Sequence, residues 1–68
     1  MEILREKFIG MDSDTAISRA ELALDNASEL PSAGLLKGRT LAAGSLAWDI
    51  STGDIYGMNS QGSWVKQN

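Results

Sequence analysis

The chain has 68 residues, nine acidic and six basic side chains, and a formal net charge of −3. A chain of this length forms one domain at most, residues 1–68. The free energy that it gains by burying apolar surface roughly balances the conformational entropy that it loses on folding, so its net stability is small. It contains no cysteine and no histidine, which excludes a disulfide scaffold, removes the commonest metal ligand and leaves every serine without the base that serine hydrolysis requires. Oligomerisation or docking onto a larger partner is the remaining source of stability.

The charges are spread along the chain and do not gather in one basic region. Nucleic-acid binding needs a basic patch, so we expect no nucleic-acid partner. No apolar run approaches the roughly 20 residues that span a bilayer, and residues 1–11 interleave charged with apolar side chains, unlike a signal peptide. We therefore expect a soluble protein that is made in the cytoplasm and has no membrane partner.

Residues 1–11 are predicted to form an N-terminal strand or arm. Apolar and charged side chains alternate imperfectly over residues 2–11, and the strand is predicted over residues 4–9, where the β-favouring pair Phe8-Ile9 precedes Gly10, which breaks the run. A helical turn is the competing interpretation. Such a strand could pair with an edge of a C-terminal sheet or with a neighbouring subunit.

Residues 13–28 are predicted to form a helix. The segment Asp12-Ser13-Asp14 offers capping side chains, and helix-forming residues follow it. Apolar residues then recur at the spacing of one helical face, at Ile17, Ala20, Leu24 and Ala27. This face is rich in alanine and would bury little apolar area by itself, so the helix would have to pack against the sheet or against another copy of the chain.

Residues 29–40 are predicted to form a connector. Pro31 disfavours helical geometry at Leu30 and so ends the helix. Lys37 and Arg39 flank Gly38, and a basic pair beside a glycine could hold a phosphate. A solvated turn is the favoured interpretation, because no glycine-rich loop leads from a strand into a capped helix here.

Residues 41–67 have the pattern of a three-stranded antiparallel β-meander. Three short apolar runs are separated by two glycine-containing turn clusters, at residues 51–54 and 59–62, and glycine takes the positive φ values of tight reversals. If Thr52 and Gly53 form the first tip, Ile55 lies opposite Ile50 and Gly57 lies opposite Trp48, whose indole would cover the glycine backbone.

This register also sorts the meander side chains between two faces. With four residues in the second loop, one face carries Trp48, Ile50, Ile55 and Trp64, and the other carries Tyr56, Met58 and Val65. A loop one residue shorter or longer would move Trp64 to the Tyr56 face.

The candidate chemical groups all have a structural alternative. Asp49 and Asp54 flank one turn and could form a carboxylate pair or hold a divalent ion, but aspartate is also an ordinary turn residue, which is the favoured interpretation. Trp48, Tyr56 and Trp64 could stack on a sugar ring, or they could form the core of a minimal sheet. The core is favoured because few other large side chains are available.

The run from Ala47 to Tyr56, AWDISTGDIY, together with the closing residues 62–65, GSWV, resembles a hairpin module of small bacteriophage and prophage proteins. The run FIGMDSDT at residues 8–15 is similar to their opening segment, so the resemblance covers most of the chain. It implies a virion structural protein of the head decoration, head-fibre or tail-associated kind. It implies no catalytic residues.

The sequence therefore predicts a small α+β domain with an N-terminal strand, one helix and a C-terminal meander. The expected function is that of a phage virion structural protein, made in the bacterial cytoplasm and located in the virion. Expected partners are further copies, for example in a trimer, and a capsid or tail protein. We expect no enzyme activity, catalytic residue, cofactor or metal. The interaction candidates are Trp48, Ile50, Gly53, Ile55, Tyr56, Gly57 and Trp64.

Two other functions stay open. One is a small carbohydrate- or peptide-binding module that uses the three aromatic side chains as a platform. The other is a regulator that occupies a strand edge of a host protein.

Overall fold

The computed structural model describes residues 1–68, with the side chains of all of them except Ala33. These residues form a mainly β structure, and the described part of the chain contains no α-helix. The strands are β1 Glu2–Asp12, β2 Thr15–Leu24, β3 Leu35–Leu36, β4 Arg39–Leu41, β5 Leu46–Asp49, β6 Asp54–Met58 and β7 Trp64–Lys66. Two 3-10 turns cover Ala27–Glu29 and Ser32–Gly34. The predicted α+β class is therefore wrong, and the domain is all-β.

Strands β1 and β2 form a long antiparallel hairpin. The strand predicted for residues 4–9 is confirmed and extends over Glu2–Asp12, but it pairs with β2 and not with an edge of the meander. Asp12 lies opposite Thr15, so the reversal has only two residues, and the first of them, Ser13, takes a φ of 57°. The register shifts at two positions, Leu4 and Ile9, where β1 carries an extra residue.

The helix predicted for residues 13–28 is wrong, because most of this segment is β2. Its most deeply buried residues alternate, at Ser18, Ala20, Leu22 and Leu24, which is the period of a strand, and Ala23 on the other face is also covered. Ala20 and Leu24 fit the period of a helix as well as that of a strand, so their spacing could not distinguish a helix from a strand. Strand pairing along both edges of β2 outweighs the intrinsic helix propensity of its alanine, leucine and glutamate residues.

Strand β2 lies at the centre of the sheet. One edge pairs with β1, while β4 and β5 share the other edge and both run parallel to β2. Between these two strands the chain leaves the edge, and there the buried Ser45 Oγ accepts a hydrogen bond from the Ala20 N–H at 3.1 Å. The Ser45 hydroxyl thus takes the place of a missing backbone acceptor.

Strands β5, β6 and β7 form the predicted antiparallel meander, with a different first register. Asp49 lies opposite Asp54 and Trp48 lies opposite Ile55, so the predicted pairing of Trp48 with Gly57 is wrong. The turn comprises all of residues 50–53. It is closed by the Gly53 N–H, which donates to the Asp49 carbonyl at 2.8 Å, and Gly53 takes a φ of 80°, which favours glycine.

The second loop is one residue longer than predicted. Trp64 lies opposite Met58, and Val65 lies opposite Gly57. The Asn59 side chain holds the loop together by accepting from the Gln61 and Ser63 N–H groups, both at 2.9 Å. Trp64 therefore lies on the same face as Met58 and Tyr56, as expected for a second loop one residue longer than four.

The core lies on one side of the sheet, which we call the inner face. Its buried apolar residues are Ala20, Leu22, Leu24, Leu36, Leu41 and Ala47. Ile3, Leu30, Tyr56 and Trp64 pack against them. The segment predicted as a connector covers this face, since it supplies Leu30, Leu36 and the Pro31 carbonyl, which accepts a hydrogen bond from Trp64 Nε1 at 2.9 Å.

Candidate functional site

The opposite side of the sheet, which we call the outer face, carries a row of apolar side chains that remain exposed. Leu46, Gly57 and Val65 lie side by side on β5, β6 and β7, and Trp48 and Ile55 form the next row. Trp48 is 45 % exposed. We define the outer stripe as Leu4, Leu46, Trp48, Ile55 and Val65; all are exposed except Ile55, which is half-buried.

A shallow cavity of about 170 Å³ opens within the outer stripe. Its lining residues are Leu4, Glu21, Leu22, Leu46, Ala47, Trp48 and Ile55. Leu4 reaches it because the β1 bulge adds a residue opposite β2 at this point. The cavity is mainly apolar with one carboxylate at its edge, so it suits an apolar side chain of a partner better than a charged ligand.

The interaction candidates from the sequence divide between the two faces. Trp48 and Ile55 lie on the outer face, whereas Tyr56 and Trp64 pack against the core on the inner face. The prediction of a core role is therefore wrong for Trp48. The three rings do not form one platform, so a sugar could stack on Trp48 only.

The remaining candidates shape the first turn and the middle of β6. Ile50 and Gly53 belong to the exposed turn between β5 and β6. Gly57 is buried, and a Cβ atom added there would lie 3.0 Å from Nε2 of Gln67. The Gln67 side chain thus covers this glycine, in place of the predicted indole.

Asp49 and Asp54 lie opposite each other on β5 and β6, but each carboxylate has its own partner. Asp49 is 2 % exposed, and its Oδ1 accepts hydrogen bonds from Ser51 Oγ at 2.6 Å and from Ser51 N at 2.9 Å. The Ser51 hydroxyl lowers the pKa of Asp49, and burial partly opposes this shift. The Asp54 carboxylate lies 3.5 Å from Lys66 Nζ. Both aspartates therefore stabilise the meander.

The basic pair at residues 37 and 39 is also structural. Lys37 and Gly38 form the turn between β3 and β4, with φ values of 49° and 84°. Arg39 and Glu6 form a bidentate ion pair, in which Nη2 donates to Oε1 at 2.7 Å and Nε donates to Oε2. The Arg39 side chain lowers the pKa of Glu6. The Arg39 guanidinium is thus already paired with a carboxylate of its own chain.

A second group of cations was missed by the sequence analysis. Arg5, Lys7 and Arg19 line a cavity of about 170 Å³ on the outer face of the β1–β2 hairpin, and we call them the basic cluster. Lys7 lies directly opposite Arg19, and Arg5 lies opposite Glu21. The alternation of Arg5 and Lys7 could have shown half of this cluster, but placing Arg19 beside them required β2 to be recognised as a strand.

Groups that could perform chemistry are not brought together in the described residues. No group of three or more histidine, cysteine, aspartate or glutamate side chains is placed to hold a metal ion there. Across the same described residues, no helix has the length and apolar character needed to cross a membrane. No family model matches the chain, and neither a curated protein nor a solved structure matches it.

Proposed function

We propose that this protein is a structural component of a bacteriophage virion that acts by docking its outer stripe onto another protein. The observation that carries the proposal is the exposure of Leu46 and Trp48 at the centre of a sheet face whose opposite side is well packed. Contiguous exposed apolar surface on a small domain is typical of a protein interface.

Trp48 is the natural anchor of such an interface. Tryptophan is enriched among the residues that carry most of the binding energy at interfaces, particularly where a ring enters or borders a pocket. Trp48 borders the cavity of the outer stripe, between Leu46 and Ile55. Because the stripe lies on paired strands, a partner would meet a surface held in place by the sheet.

The assignment to a virion is supported by the resemblance of residues 47–56 and 62–65 to phage structural proteins. These residues supply most of β5 and β6 and the start of β7, so the segment that carries the resemblance also carries three of the five residues of the outer stripe, Trp48, Ile55 and Val65. The proposed partners are further copies of the chain and a capsid or tail protein, and the proposed location is the virion, after synthesis in the bacterial cytoplasm.

Incorporation into particles tests this proposal. Phage particles would be purified from bacteria that produce either the wild-type chain or the Trp48→Ser variant, and the chain would be quantified in them by mass spectrometry. We expect wild-type protein in the particles and a strong loss for Trp48→Ser. Leu35→Ser is the control, because Leu35 is also an exposed apolar residue but lies on β3, away from the stripe.

Two results would contradict the proposal. Wild-type protein that is folded and abundant in the cells but absent from purified particles would exclude a virion component. Equal incorporation of wild type, Trp48→Ser and Leu35→Ser would show that docking does not use the outer stripe.

A further inference from the structure

The basic cluster gathers three cations that form no ion pair in the described residues, although one carboxylate, Glu21, lines the same cavity opposite Arg5. Arg5, Lys7 and Arg19 are three of the six basic residues of a chain with net charge −3. Within the described residues, none of the three forms an ion pair, whereas Arg39 and Lys66 do. Like charges placed directly opposite each other on neighbouring strands, as in Lys7 and Arg19, are destabilising. The cluster is therefore expected to attract an anionic partner.

The cluster is also held in shape. Arg19 Nε donates a hydrogen bond to the Ala43 carbonyl at 3.1 Å. Gly44 lies against the same side chain, since an added Cβ atom would come within 3.1 Å of Arg19 Nε. The guanidinium is thus fixed by the backbone of residues 43–44, so less conformational entropy is lost when an anion binds to it.

The tip of the same hairpin carries acidic side chains, whose charge is opposite to that of the basic cluster. Asp12 and Asp14 are exposed there, and neither forms an ion pair in the described structure. Met11, beside them, is 59 % exposed. The tip therefore combines two carboxylates with one large apolar side chain, whereas the outer face combines three cations and Glu21 with the apolar Leu4.

A chain cannot satisfy its own cluster with its own tip. Lys7 and Asp12 are separated along one extended strand by about 16 Å, at about 3.3 Å per residue. The molecule is 36 Å long and only 21 Å and 17 Å across, so the hairpin, which runs for 11 residues in β1, spans most of its length. The tip is therefore placed to reach a neighbouring molecule.

We propose that the basic cluster of one copy binds the acidic, apolar hairpin tip of a second copy. This inference rests on the proposed function, because it names one partner of the outer face. Made once between two copies, this contact is heterologous and generates a closed ring or an open filament, whereas two reciprocal contacts between antiparallel hairpins give a two-fold dimer.

Two other modes of self-association fit the structure less well. The free edge of β1 is interrupted by bulges at Leu4 and Ile9, and bulges of this kind protect an edge from regular strand pairing. A two-fold contact that superposed the hairpins through their outer faces would bring two basic clusters together. The tip contact instead joins opposite charges.

Charge reversal at each surface tests the contact. Lys7→Glu places a carboxylate opposite Arg19, which should preserve or improve folding while it removes a cation from the cluster. Asp14→Lys reverses a charge at the tip, and Asp25→Lys makes the same change of net charge at an exposed position away from it. Each variant would be measured by light scattering coupled to size exclusion over a range of concentrations, with tryptophan fluorescence as the folding control.

The expected results follow from the heterologous geometry. Wild type and Asp25→Lys should associate as concentration rises, and association should weaken with salt. Lys7→Glu and Asp14→Lys should each associate at least about tenfold more weakly. An equal mixture of these two variants should recover association, because the unaltered tip of Lys7→Glu fits the unaltered basic cluster of Asp14→Lys.

Three results would overturn the inference. These are a wild-type chain that stays monomeric at every concentration, an equal effect of Asp14→Lys and Asp25→Lys, and a mixture that does not recover. Binding of inorganic phosphate to a chain that does not associate would identify a small-anion site instead. A monomeric chain that still enters virions through its outer stripe would defeat this inference alone and leave the proposed function standing.

Discussion

The two faces of the sheet are built from the same strands, but the inner face is buried and the outer face remains exposed. On the inner face, Leu22, Leu24 and Ala47 are buried beneath the segment of residues 25–36. On the outer face, the neighbouring residues Leu46 and Trp48 remain exposed. Because successive side chains of a strand point to opposite faces, β5 contributes to the core and to the exposed stripe at alternate positions.

This difference shows how a chain of 68 residues can form a core and still offer an apolar surface. No buried side-chain nitrogen or oxygen in the described residues lacks a hydrogen-bond partner, so burial in the core leaves no polar side chain unsatisfied. The outer face adds little to the stability of the isolated chain, so its side chains are free to contribute to a contact with another protein.

Truncation in the inner face should have the largest effect. Leu24 is fully buried in the core cluster, and Leu24→Ala should lower the free energy of unfolding by about 2–5 kcal/mol. A small domain has only a few kcal/mol in total, so we expect the variant to be largely unfolded. Urea titration followed by tryptophan fluorescence measures this. Leu46→Ala is the matched control on the outer face, and an equal loss in both would contradict the division between the faces.

Loss of the Ser45 hydroxyl should have a smaller effect. Ser45→Ala leaves the buried Ala20 N–H without its acceptor, which costs about 1–3 kcal/mol. The measurement is the midpoint of urea unfolding, compared with Ser60→Ala, which alters an exposed loop serine. If the two variants unfold at the same urea concentration, the Ser45 hydroxyl does not support the junction between β4 and β5.

Acid should weaken the domain through carboxylates whose pKa values are lowered by folding. Hydrogen bonds from Ser51 lower the pKa of Asp49 from its ordinary value of 3.8, and Arg39 lowers that of Glu6 from 4.5. The stabilisation is therefore complete above these ordinary values and is lost as the pH falls through the lower folded values. Unfolding free energy measured against pH should decline in this range. Asp49→Asn should show a shallower decline, and an unchanged pH dependence would contradict the role of Asp49.

Substitution in the outer stripe should have the smallest effect on stability. Trp48→Ser should lower the free energy of unfolding by about 1 kcal/mol, because 45 % of the residue is exposed and only the contacts of its covered part are lost. Thermal unfolding checks this, with Trp64→Ser as the comparison on the inner face. A large loss of stability in Trp48→Ser would mean that the outer stripe belongs to the core of the domain.

The parts of the fold that depend on local signals could be predicted from the sequence. The pair Phe8-Ile9 indicated β1, and the glycine-containing clusters separated the three strands of the meander. The first turn was misjudged because Asp49, bonded to Ser51, ends β5 earlier than the tip at Thr52-Gly53 implied. Turn chemistry set the register there.

The parts that depend on distant contacts could not be predicted in this way. The parallel pairing of β2 with β4 and β5 joins residues that are far apart in the sequence, and local propensity favoured a helix for residues 13–28. The buried alternation of Ser18, Ala20 and Leu22 was present in the sequence, but it competed with an equally good helical spacing. The position of Trp48 follows from the pairing of β2 with β5, and the basic cluster follows from the pairing of β2 with β1.

Fluorescence of the two tryptophans, which lie on opposite faces of the sheet, tests directly whether the outer face is open and the inner face closed. The Trp64→Phe variant retains only Trp48, and the Trp48→Phe variant retains only Trp64. Fluorescence emission and acrylamide quenching would be measured for both at low protein concentration. We expect red-shifted, readily quenched emission from Trp48 and blue-shifted, protected emission from Trp64. Equal protection of the two rings in the monomer, or protection of Trp48 alone, would contradict the assignment of an open outer face and a closed inner one.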